Sequence, residues 1–360
     1  MPPPSPLPVA ILGATGAVGQ RFLCCLKNHP WFRIERLFAS PRSAGKTYAE
    51  AVSWVLPEPI PTAFATLEVE ALPAAGAGLG IVRLAFSALD AGLAKDVESD
   101  LARSGITVFS NASSHRMDEQ VPLVVPEINP GHLALGRQAC TNGGAIITNP
   151  NCSTIGLVLA IGPLHEPFGI RRVSVVTQQA RSGAGLVAGS FMELENNVLP
   201  FIPGEEAKLA TETLKLLGEL KEGRIAPASF PVSATCTRVP VTEGHLICVS
   251  IELENPVTRE ELIKTWTQFR SLPQTLNLPT APVRPVHWLE ANDAPQALLH
   301  ADLEDGMAIS IGRLRPETLF GEPIEEPRRR GWKFITLSHN TIRGAAGGSV
   351  LNAELWLEGS

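Results

Sequence analysis

The sequence predicts an α/β fold in which a doubly wound, mostly parallel sheet is followed by an α+β domain with a mixed sheet. A short apolar run, residues 9–12, ends directly at a glycine-rich turn that leads into a helix-like segment, residues 20–26. Strand-like and helix-like segments then alternate over roughly the first 150 residues, as in repeated βαβ units. From Arg171 the strand-like runs become longer, which favours a mixed or antiparallel sheet.

Each half of the chain has its own series of predicted elements. The first half has predicted strands at residues 34–39, 81–87, 107–110, 123–125 and 145–147, and a predicted helix at 91–104. The second half has predicted strands at 173–179, 232–239 and 245–253, and predicted helices at 205–220 and 259–270. A last helix within residues 344–356 is expected to pack back on the first half. We therefore expect one domain over residues 1–150, completed by 340–360, and a second over 151–339.

The composition is that of an ordinary globular chain. Of 360 residues, 44% are hydrophobic and 18% are charged, and a net charge of −6 offers no basic surface for nucleic acid. Every apolar run is broken well before the ~20 residues that a membrane-spanning helix requires. The six cysteines come without an export signal or metal-ligand spacing, which indicates reduced thiols in a cytoplasm and no metal site. Nucleic-acid and membrane partners are therefore not expected.

The glycine-rich turn is the first candidate site. It reads Gly13-Ala14-Thr15-Gly16-Ala17-Val18-Gly19, so a dinucleotide pyrophosphate can meet the N-terminus of the following helix. The second predicted strand ends near Ser40, Arg42 and Ser43, where NAD-binding proteins of this kind carry a carboxylate. Hydroxyls and an arginine suit a 2′-phosphate instead, so we predict a Rossmann-like domain that binds NADP. Taken alone, Arg42 is better explained as a solvated surface charge.

Cys152 is the candidate nucleophile. It lies between a predicted strand and the apolar run 155–161, at the expected start of a helix, where free N–H groups and the helix dipole lower a thiol pKa. The other five cysteines are interpreted as core residues. A thiol that forms a hemithioacetal needs a proton donor and acceptor, and His245, in the segment after Arg238, is the candidate among eight histidines. A structural histidine is the default alternative.

Several motifs together resemble the aspartate-semialdehyde dehydrogenase family, especially its archaeal and fungal branch. The resemblance covers nearly the whole chain. Its motifs are GATGAVGQ (13–20), SPRSAGK (40–46), SNASSHRM (110–117), NPNCST (149–154), QARSGAG (179–185), GEEAK (204–208), RVPVTEGH (238–245) and NTIRGAAGGSVLNAE (340–354). Several such motifs in the right order are far more specific than any one of them.

The resemblance implies a role for individual residues. Cys152 would be the acylated nucleophile, Gln179 would orient the substrate and support the thioester, and His245 would be the general acid/base. The substrate-binding residues would be Arg238 for the α-carboxylate, Glu205 for the ammonium, Arg116 and Lys208 for phosphate, and Asn151. The cofactor-binding residues would be Gly13, Thr15, Gly16, Ala17, Val18, Ser40, Arg42, Ser43, Ser87, Ser182, Gly183 and Asn340. Taken singly, the charged residues are better explained as a surface ion pair and two solvated arginines, whereas the intact NCST and RVPVTEGH motifs favour the substrate-binding roles.

The same resemblance implies an activity. It is the NADPH-dependent conversion of L-4-aspartyl phosphate to L-aspartate 4-semialdehyde through a Cys152 thioester, in the biosynthesis of lysine, threonine, methionine and isoleucine, by a homodimer or homotetramer. The first domain would bind NADP, and the second would carry catalysis and dimerisation.

Alternatives stay open at this point. A malonyl-CoA reductase and, more distantly, an N-acetyl-glutamyl-phosphate reductase share the layout, but neither substrate offers Glu205 a free ammonium. A non-catalytic NADP-binding redox sensor, in which Cys152 only oxidises, would need none of Gln179, Arg238 and His245.

Overall fold

The computed structural model describes residues 3–140, 142–185, 194–321 and 327–359. Within these ranges the chain forms two six-stranded sheets and a small two-stranded one. The predicted fold class, a doubly wound sheet followed by a domain with a mixed sheet, is confirmed.

The first sheet is entirely parallel. Its strands are β1 (Leu7–Leu12), β2 (Phe32–Ala39), β3 (Val69–Ala71), β4 (Leu84–Ser87), β5 (Thr107–Ser110) and β6 (Ile146–Thr148). The helices between them are α1 (Ala17–Leu26), α2 (Tyr48–Ala51), α3 (Thr62–Ala65), α4 (Ala91–Arg103) and α5 (Leu133–Gln138). The strand order is β3-β2-β1-β4-β5-β6, so the direction of winding reverses between β1 and β4. In such sheets ligands bind at the carboxyl ends of the strands beside that reversal.

The second sheet is mixed. Its strands are β7 (Ile170–Gln179), β10 (Val232–Arg238), β11 (His245–Val257), β12 (Val286–Leu289), β13 (Ile309–Pro316) and β14 (Arg329–Ser338), in the order β10-β7-β11-β14-β13-β12. The two-stranded sheet is β8 (Glu219–Lys221) with β9 (Arg224–Ala226). The helices are α6 (Cys152–Phe168), α7 (Glu205–Leu216), α8 (Arg259–Gln268), α9 (Leu272–Thr275), α10 (Ala297–His300) and α11 (Gly347–Glu358).

Two long helices show how the sheets are covered. Helix α6 is apolar all round because it lies within the core of the second sheet, where Leu157, Val158 and Leu159 are fully buried. Helix α11 buries Val350 and Leu351 in the core of the first sheet, together with apolar residues of α1 and β1. The C-terminal helix therefore returns to the first sheet, as the sequence predicts.

Three predicted elements differ from the structure. Residues 123–125 do not form a strand: prolines flank them, and only Leu123 makes an isolated bridge to Thr148 of β6. The Asn129 side chain accepts the Val125 N–H (2.8 Å) and donates to the Leu123 carbonyl (2.8 Å). Helix α7 ends at Leu216, earlier than predicted, because the chain turns at Gly218, where a Cβ would lie 2.4 Å from the Ala226 carbonyl oxygen. The predicted strand 81–87 begins only at Leu84.

The end of the second sheet at which β7 and β10 finish lies next to the turn that follows β6 of the first sheet. Gln179 ends β7 and Arg238 ends the parallel neighbour β10 in direct register with it, while His245 begins the antiparallel strand β11 beside them. The turn after β6 leads straight into α6 at Cys152. Residues that are far apart in sequence are thus gathered at one edge.

Candidate active site

The turn before α6 presents Cys152. Asn151 is the N-cap, and its Oδ1 accepts hydrogen bonds from the N–H groups of Ser153 (2.9 Å) and Thr154 (3.4 Å). The cap therefore satisfies two of the N–H groups that every helix start leaves open. In the part of the chain that the structure describes, no hydrogen bond uses the N–H of Cys152 itself. That group is available to an oxygen of a substrate bonded to the sulfur.

Cys152 and His245 form a close pair. The Sγ atom lies 3.2 Å from Nε2 of the imidazole. The other ring nitrogen, Nδ1, accepts a hydrogen bond from the Ala180 backbone N–H at 3.0 Å. Since a backbone amide only donates, the neutral ring carries its proton on Nε2, pointing at the sulfur.

Burial dominates the ionisation of this pair. Burial, with the nearby Glu205 carboxylate, raises the pKa of the Cys152 thiol to about 12, against smaller lowering effects of Arg116 and the Ser153 N–H. Burial, with Arg238 and His339, lowers the pKa of His245 to about 3. The expected lowering of the thiol pKa is therefore wrong: the helix start contributes in the predicted direction, but the loss of solvation is larger. Both groups are neutral near pH 7.

Glu205 is the centre of a polar cluster next to the sulfur. Its Oε2 accepts from the side-chain amides of Asn151 (2.8 Å) and Gln179 (3.3 Å), and its Oε1 accepts from Lys208 Nζ (3.2 Å). Gln179 is 1% exposed and also contacts the Thr177 hydroxyl. Helix α7 begins at Glu205, so Glu205 and Lys208 do share one face, as predicted.

Two buried arginines border the cluster. Arg238 donates from Nη1 to the Ala180 carbonyl at 2.9 Å. Arg116 donates from Nη1 to Glu212 Oε1 at 3.0 Å and from Nη2 to the Asn111 carbonyl at 2.7 Å. Neither is the solvated surface arginine of the simpler interpretation, because both are 7% exposed. A planar guanidinium has five N–H donors, so each retains donors for a carboxylate or phosphate.

Two glycines leave room at the pair. A Cβ on Gly183 would lie 3.1 Å from His245 Cε1 and 3.2 Å from Arg238 Nη1. A Cβ on Gly344 would lie 2.7 Å from the Cβ of Cys152. Side chains at either position would occupy the space beside the sulfur or displace it.

The glycine turn after β1 has the geometry of a phosphate cradle. Gly13 has φ +78°, and a Cβ there would lie 2.7 Å from the Ala88 carbonyl oxygen. A Cβ on Gly19 would lie 2.2 Å from the Gly13 carbonyl oxygen, so this glycine allows α1 to pack on the turn. Gly16 is the N-cap of α1 and provides no capping side chain, which leaves the N–H groups of Ala17 and Val18 open.

The other predicted cofactor residues fall into two groups. Ser40 and Arg42 are exposed at the turn after β2, and Ser43 is 8% exposed with its N–H bonded to the Ser40 carbonyl. Ser87, in contrast, is fully buried at the end of β4, and its carbonyl oxygen accepts from Asn111. Ser87 is thus not exposed at this end of the sheet.

Ser182 and Asn340 bind each other beside the loop that leads to His245. Asn340 Nδ2 donates to the Ser182 hydroxyl at 2.8 Å, and Asn340 Oδ1 accepts the Gly244 N–H at 2.9 Å. Ser182 in turn donates to Glu243 Oε2 at 3.1 Å. Thr15, by comparison, stays half-buried in the glycine turn.

Four site-supporting residues were missed by the sequence analysis. Glu243 also accepts from Arg21 Nη2 at 3.1 Å and so ties the loop before His245 to α1. Glu212 binds Arg116 and the turn before Cys152, and Lys215 donates to three carbonyl oxygens of the segment around Arg116. For Glu212 and Lys215 the available signal was the spacing 205, 208, 212 and 215, which puts four charged residues on one helical face.

The parallel sheet with its glycine turn, joined to a mixed-sheet domain with a cysteine–histidine pair, defines a two-domain α/β dehydrogenase. The family model described as semialdehyde dehydrogenase, NAD binding domain, matches residues 8–135. The model described as semialdehyde dehydrogenase, dimerisation domain, matches residues 161–343.

Individual relatives identify the family within the semialdehyde dehydrogenases. An aspartate-semialdehyde dehydrogenase of Methanothermobacter thermautotrophicus is 46% identical over 96% of this chain and 98% of its own length. One of Trichophyton rubrum is 38% identical over 98% of both chains. The crystal structure of aspartate semialdehyde dehydrogenase with NADP from Candida albicans superposes with a TM-score of 0.86 at 38% identity, covering 98% of each chain. The chain belongs to the aspartate-semialdehyde dehydrogenase family.

Two features are absent from the described ranges. No helix there is both long and apolar enough to span a membrane. No group of three or more histidine, cysteine or acidic residues there is arranged to hold a metal ion.

Proposed function

We propose that this protein reduces L-4-aspartyl phosphate to L-aspartate 4-semialdehyde with NADPH, through a thioester on Cys152. The observation that carries the proposal is the 3.2 Å contact between Cys152 Sγ and His245 Nε2. The charged side chains of Glu205, Lys208, Arg116 and Arg238 lie around this pair. The near full-length similarity to aspartate-semialdehyde dehydrogenases of archaea and fungi supports it. The activity places the protein in the biosynthesis of lysine, threonine, methionine and isoleucine.

These charged side chains match the three charged groups of the substrate. Arg238 suits the α-carboxylate, because a guanidinium can donate two parallel hydrogen bonds to it. Glu205 offers the carboxylate that an ammonium group needs. Arg116 and Lys208 supply positive charge for the phosphate, and Lys208 remains 38% exposed toward solvent. Asn151 and Gln179 hold Glu205 in place from the side of the nucleophile.

The first chemical step is acyl transfer to the sulfur. Cys152 Sγ bonds to the acyl carbon, and the carbon–oxygen bond to phosphate breaks. The thiol proton leaves with the phosphate, which departs as hydrogen phosphate. The free N–H of Cys152 is placed to donate to the carbonyl oxygen as negative charge develops on it. Gln179 fixes the substrate next to the thioester.

The second step needs a proton donor. NADPH, when bound, supplies the hydride that reduces the thioester carbonyl. His245 donates the hydrogen bond from Nε2 to the hemithioacetal oxyanion and then to the departing sulfur, and a proton from solvent completes the thiol, so the ring stays neutral throughout. Release of the semialdehyde then returns the free thiol.

The residues at the first sheet fit NADP. The open N–H groups at the start of α1 and the glycines of the turn suit a pyrophosphate, and Arg42 with Ser40 and Ser43 suits a 2′-phosphate. Ser182, Gly183 and Asn340 lie on the side of the Cys–His pair, where the nicotinamide half would be. In this proposal, residues 1–150 with 340–360 form the NADP-binding domain, and residues 151–339 form the catalytic and dimerisation domain.

We further infer a homodimer or homotetramer in the cytoplasm, with no nucleic-acid or membrane partner. One face of the second sheet is packed on α6, but the other leaves Val176 43% exposed and Leu246, Cys248 and Ile335 only partly buried. A second copy of the chain would cover this face. The dimerisation-domain match over 161–343 supports that assignment.

The test is NADPH formation by the purified protein with L-aspartate 4-semialdehyde, phosphate and NADP, beside a Cys152→Ser variant. Phosphate-dependent turnover that disappears in the variant is the expected result. Turnover with malonyl-CoA and NADPH alone would retain the nucleophile but replace the substrate. Absence of both activities would favour a redox sensor.

A further inference from the structure

We propose that Glu212 is a positioning residue for the phosphate step, because it holds the Arg116 guanidinium and the turn carrying Cys152 in one fixed arrangement. The proposal rests on the proposed function, in which Arg116 binds the phosphate group. None of the sequence motifs includes Glu212, and its carboxylate is not among the groups that contact the substrate.

The two carboxylate oxygens of Glu212 serve two different parts of the site. Oε1 accepts the Nη1 hydrogen of Arg116 at 3.0 Å. Oε2 accepts the backbone N–H of Asn151 at 2.6 Å. The residue is 2% exposed, so water does not compete for either oxygen. One carboxylate therefore sets the distance between the phosphate-binding arginine and the residue preceding the nucleophile.

Helix α7 provides a rigid mount for this carboxylate. Glu205, Lys208, Glu212 and Lys215 follow one another at helical spacing on the face that points into the site. Lys215 Nζ donates to the carbonyl oxygens of Arg116 (2.7 Å), Asp118 (2.9 Å) and Val121 (3.0 Å). The backbone of the arginine segment and its guanidinium are thus both fixed by the same helix, which positions a site more accurately than loops alone.

Both the charge and the length of Glu212 are needed. A glutamine has one accepting oxygen and one donating nitrogen, so it cannot accept from Arg116 and Asn151 together. An aspartate keeps the charge but is one methylene shorter, so it can reach only one of the two. The Glu205 and Arg238 groups that would bind the semialdehyde have no contact with Glu212 among the described residues, so binding of that substrate should be spared.

The experiment compares Glu212→Gln and Glu212→Asp with the wild type in NADPH formation from the semialdehyde, with phosphate and semialdehyde varied separately. Loss of a charge-assisted hydrogen bond is expected to raise the KM for phosphate about tenfold in Glu212→Gln while the KM for the semialdehyde changes less than about twofold. The KM for phosphate of Glu212→Asp should lie between those of Glu212→Gln and the wild type. Glu260→Gln, an exposed carboxylate at the start of α8, is the matched control and should behave as wild type.

Four outcomes overturn the proposal. Equal rises of both KM values, or no rise in that for phosphate, would show that Glu212 does not act through the phosphate group. If both Glu212 variants fail to fold, as judged by circular dichroism, the residue is structural. If the wild type shows no phosphate-dependent turnover, the proposed function itself fails. If the wild type turns over normally and the Glu212 variants have its KM for phosphate, only the positioning role of Glu212 fails.

Discussion

Gly344 packs its backbone directly against Cys152: a Cβ at position 344 would lie 2.7 Å from the Cβ and 3.1 Å from the Cα of the cysteine. Gly344 belongs to a wide π-type turn, Ile342–Ala346, that leads into α11, and its N–H donates to the His339 carbonyl at 2.9 Å. Cys152 therefore lies between its own helix and the C-terminal segment. Its position depends on a residue near the other end of the chain.

Replacing Gly344 by alanine should displace Cys152. Overpacking of this kind costs about 1–3 kcal/mol, so we expect the free energy of unfolding in urea to fall by that amount. The NADPH-forming activity should fall as well, since the sulfur moves relative to His245. Gly131→Ala is the control, because a Cβ there has no atom within 4 Å. Unchanged stability in Gly344→Ala would mean that the segment can shift without strain.

Replacing Gly183 by alanine should affect activity more than stability. The new methyl group would lie 3.1–3.2 Å from His245 and Arg238, in the space where we place the substrate and the nicotinamide. We expect kcat/KM for the semialdehyde to fall at least about tenfold, which corresponds to ~1.4 kcal/mol of transition-state stabilisation. The unfolding midpoint should stay near that of the wild type. An equal loss in Gly131→Ala, the same control, would contradict a local effect.

The sequence predicted the order of the elements better than their ends. Parallel and mixed sheets leave different periodicities, so the change of texture near Arg171 located the second sheet correctly. Residues 123–125 were predicted as a strand because their pattern is apolar, but only Leu123 makes a bridge to β6, and the Asn129 side chain bonds the Val125 N–H and the Leu123 carbonyl. Side-chain partners of this kind leave no periodic signal.

The sequence indicated candidate site residues only where they lie in linear motifs. Cys152 and His245 lie in such motifs, and the structure brings them together. Glu212 lies in none, since its importance arises from contacts between α7 and segments about 60 and 100 residues away in sequence. The direction of the Cys152 pKa shift was also missed, because a helix start is visible in sequence but the burial that outweighs it is not.

His339 should make the protein less stable in acid. Burial, with Arg21 nearby, lowers the pKa of His339 from 6.5 to about 3, and its Nδ1 accepts the N–H groups of Thr341 and Ile342. The unfolded chain therefore binds a proton between pH 6.5 and 3 that the folded protein does not. This contribution to stability is complete above pH 6.5 and is lost as the pH falls through that window.

Urea unfolding of His339→Gln tests this expectation. The free energy of unfolding of the wild type should fall more steeply with decreasing pH than that of the variant, by up to ~1.4 kcal/mol per pH unit between pH 6 and 4. Above pH 7.5 the two slopes should agree. Equal slopes in acid would mean that His339 is protonated in the folded protein.

The free protein should react slowly with thiol reagents at neutral pH. Burial raises the pKa of Cys152 to about 12, so the thiolate fraction grows about tenfold per pH unit up to pH 9.5. The rate of Cys152 alkylation by iodoacetamide, followed by peptide mass spectrometry, should rise with that slope and without a plateau. Cys140, which is exposed, provides an internal reference for the reagent.

The alternative gives a different pH profile. A thiolate–imidazolium pair would react at a constant rate from about pH 6 upward, since the thiol would already be ionised. That pair requires a proton on both nitrogens of His245, and the Ala180 N–H at 3.0 Å from Nδ1 opposes the second one. A plateau would therefore mean that this hydrogen bond breaks in solution, whereas a continuous rise would mean that the sulfur becomes nucleophilic only once the substrate is bound.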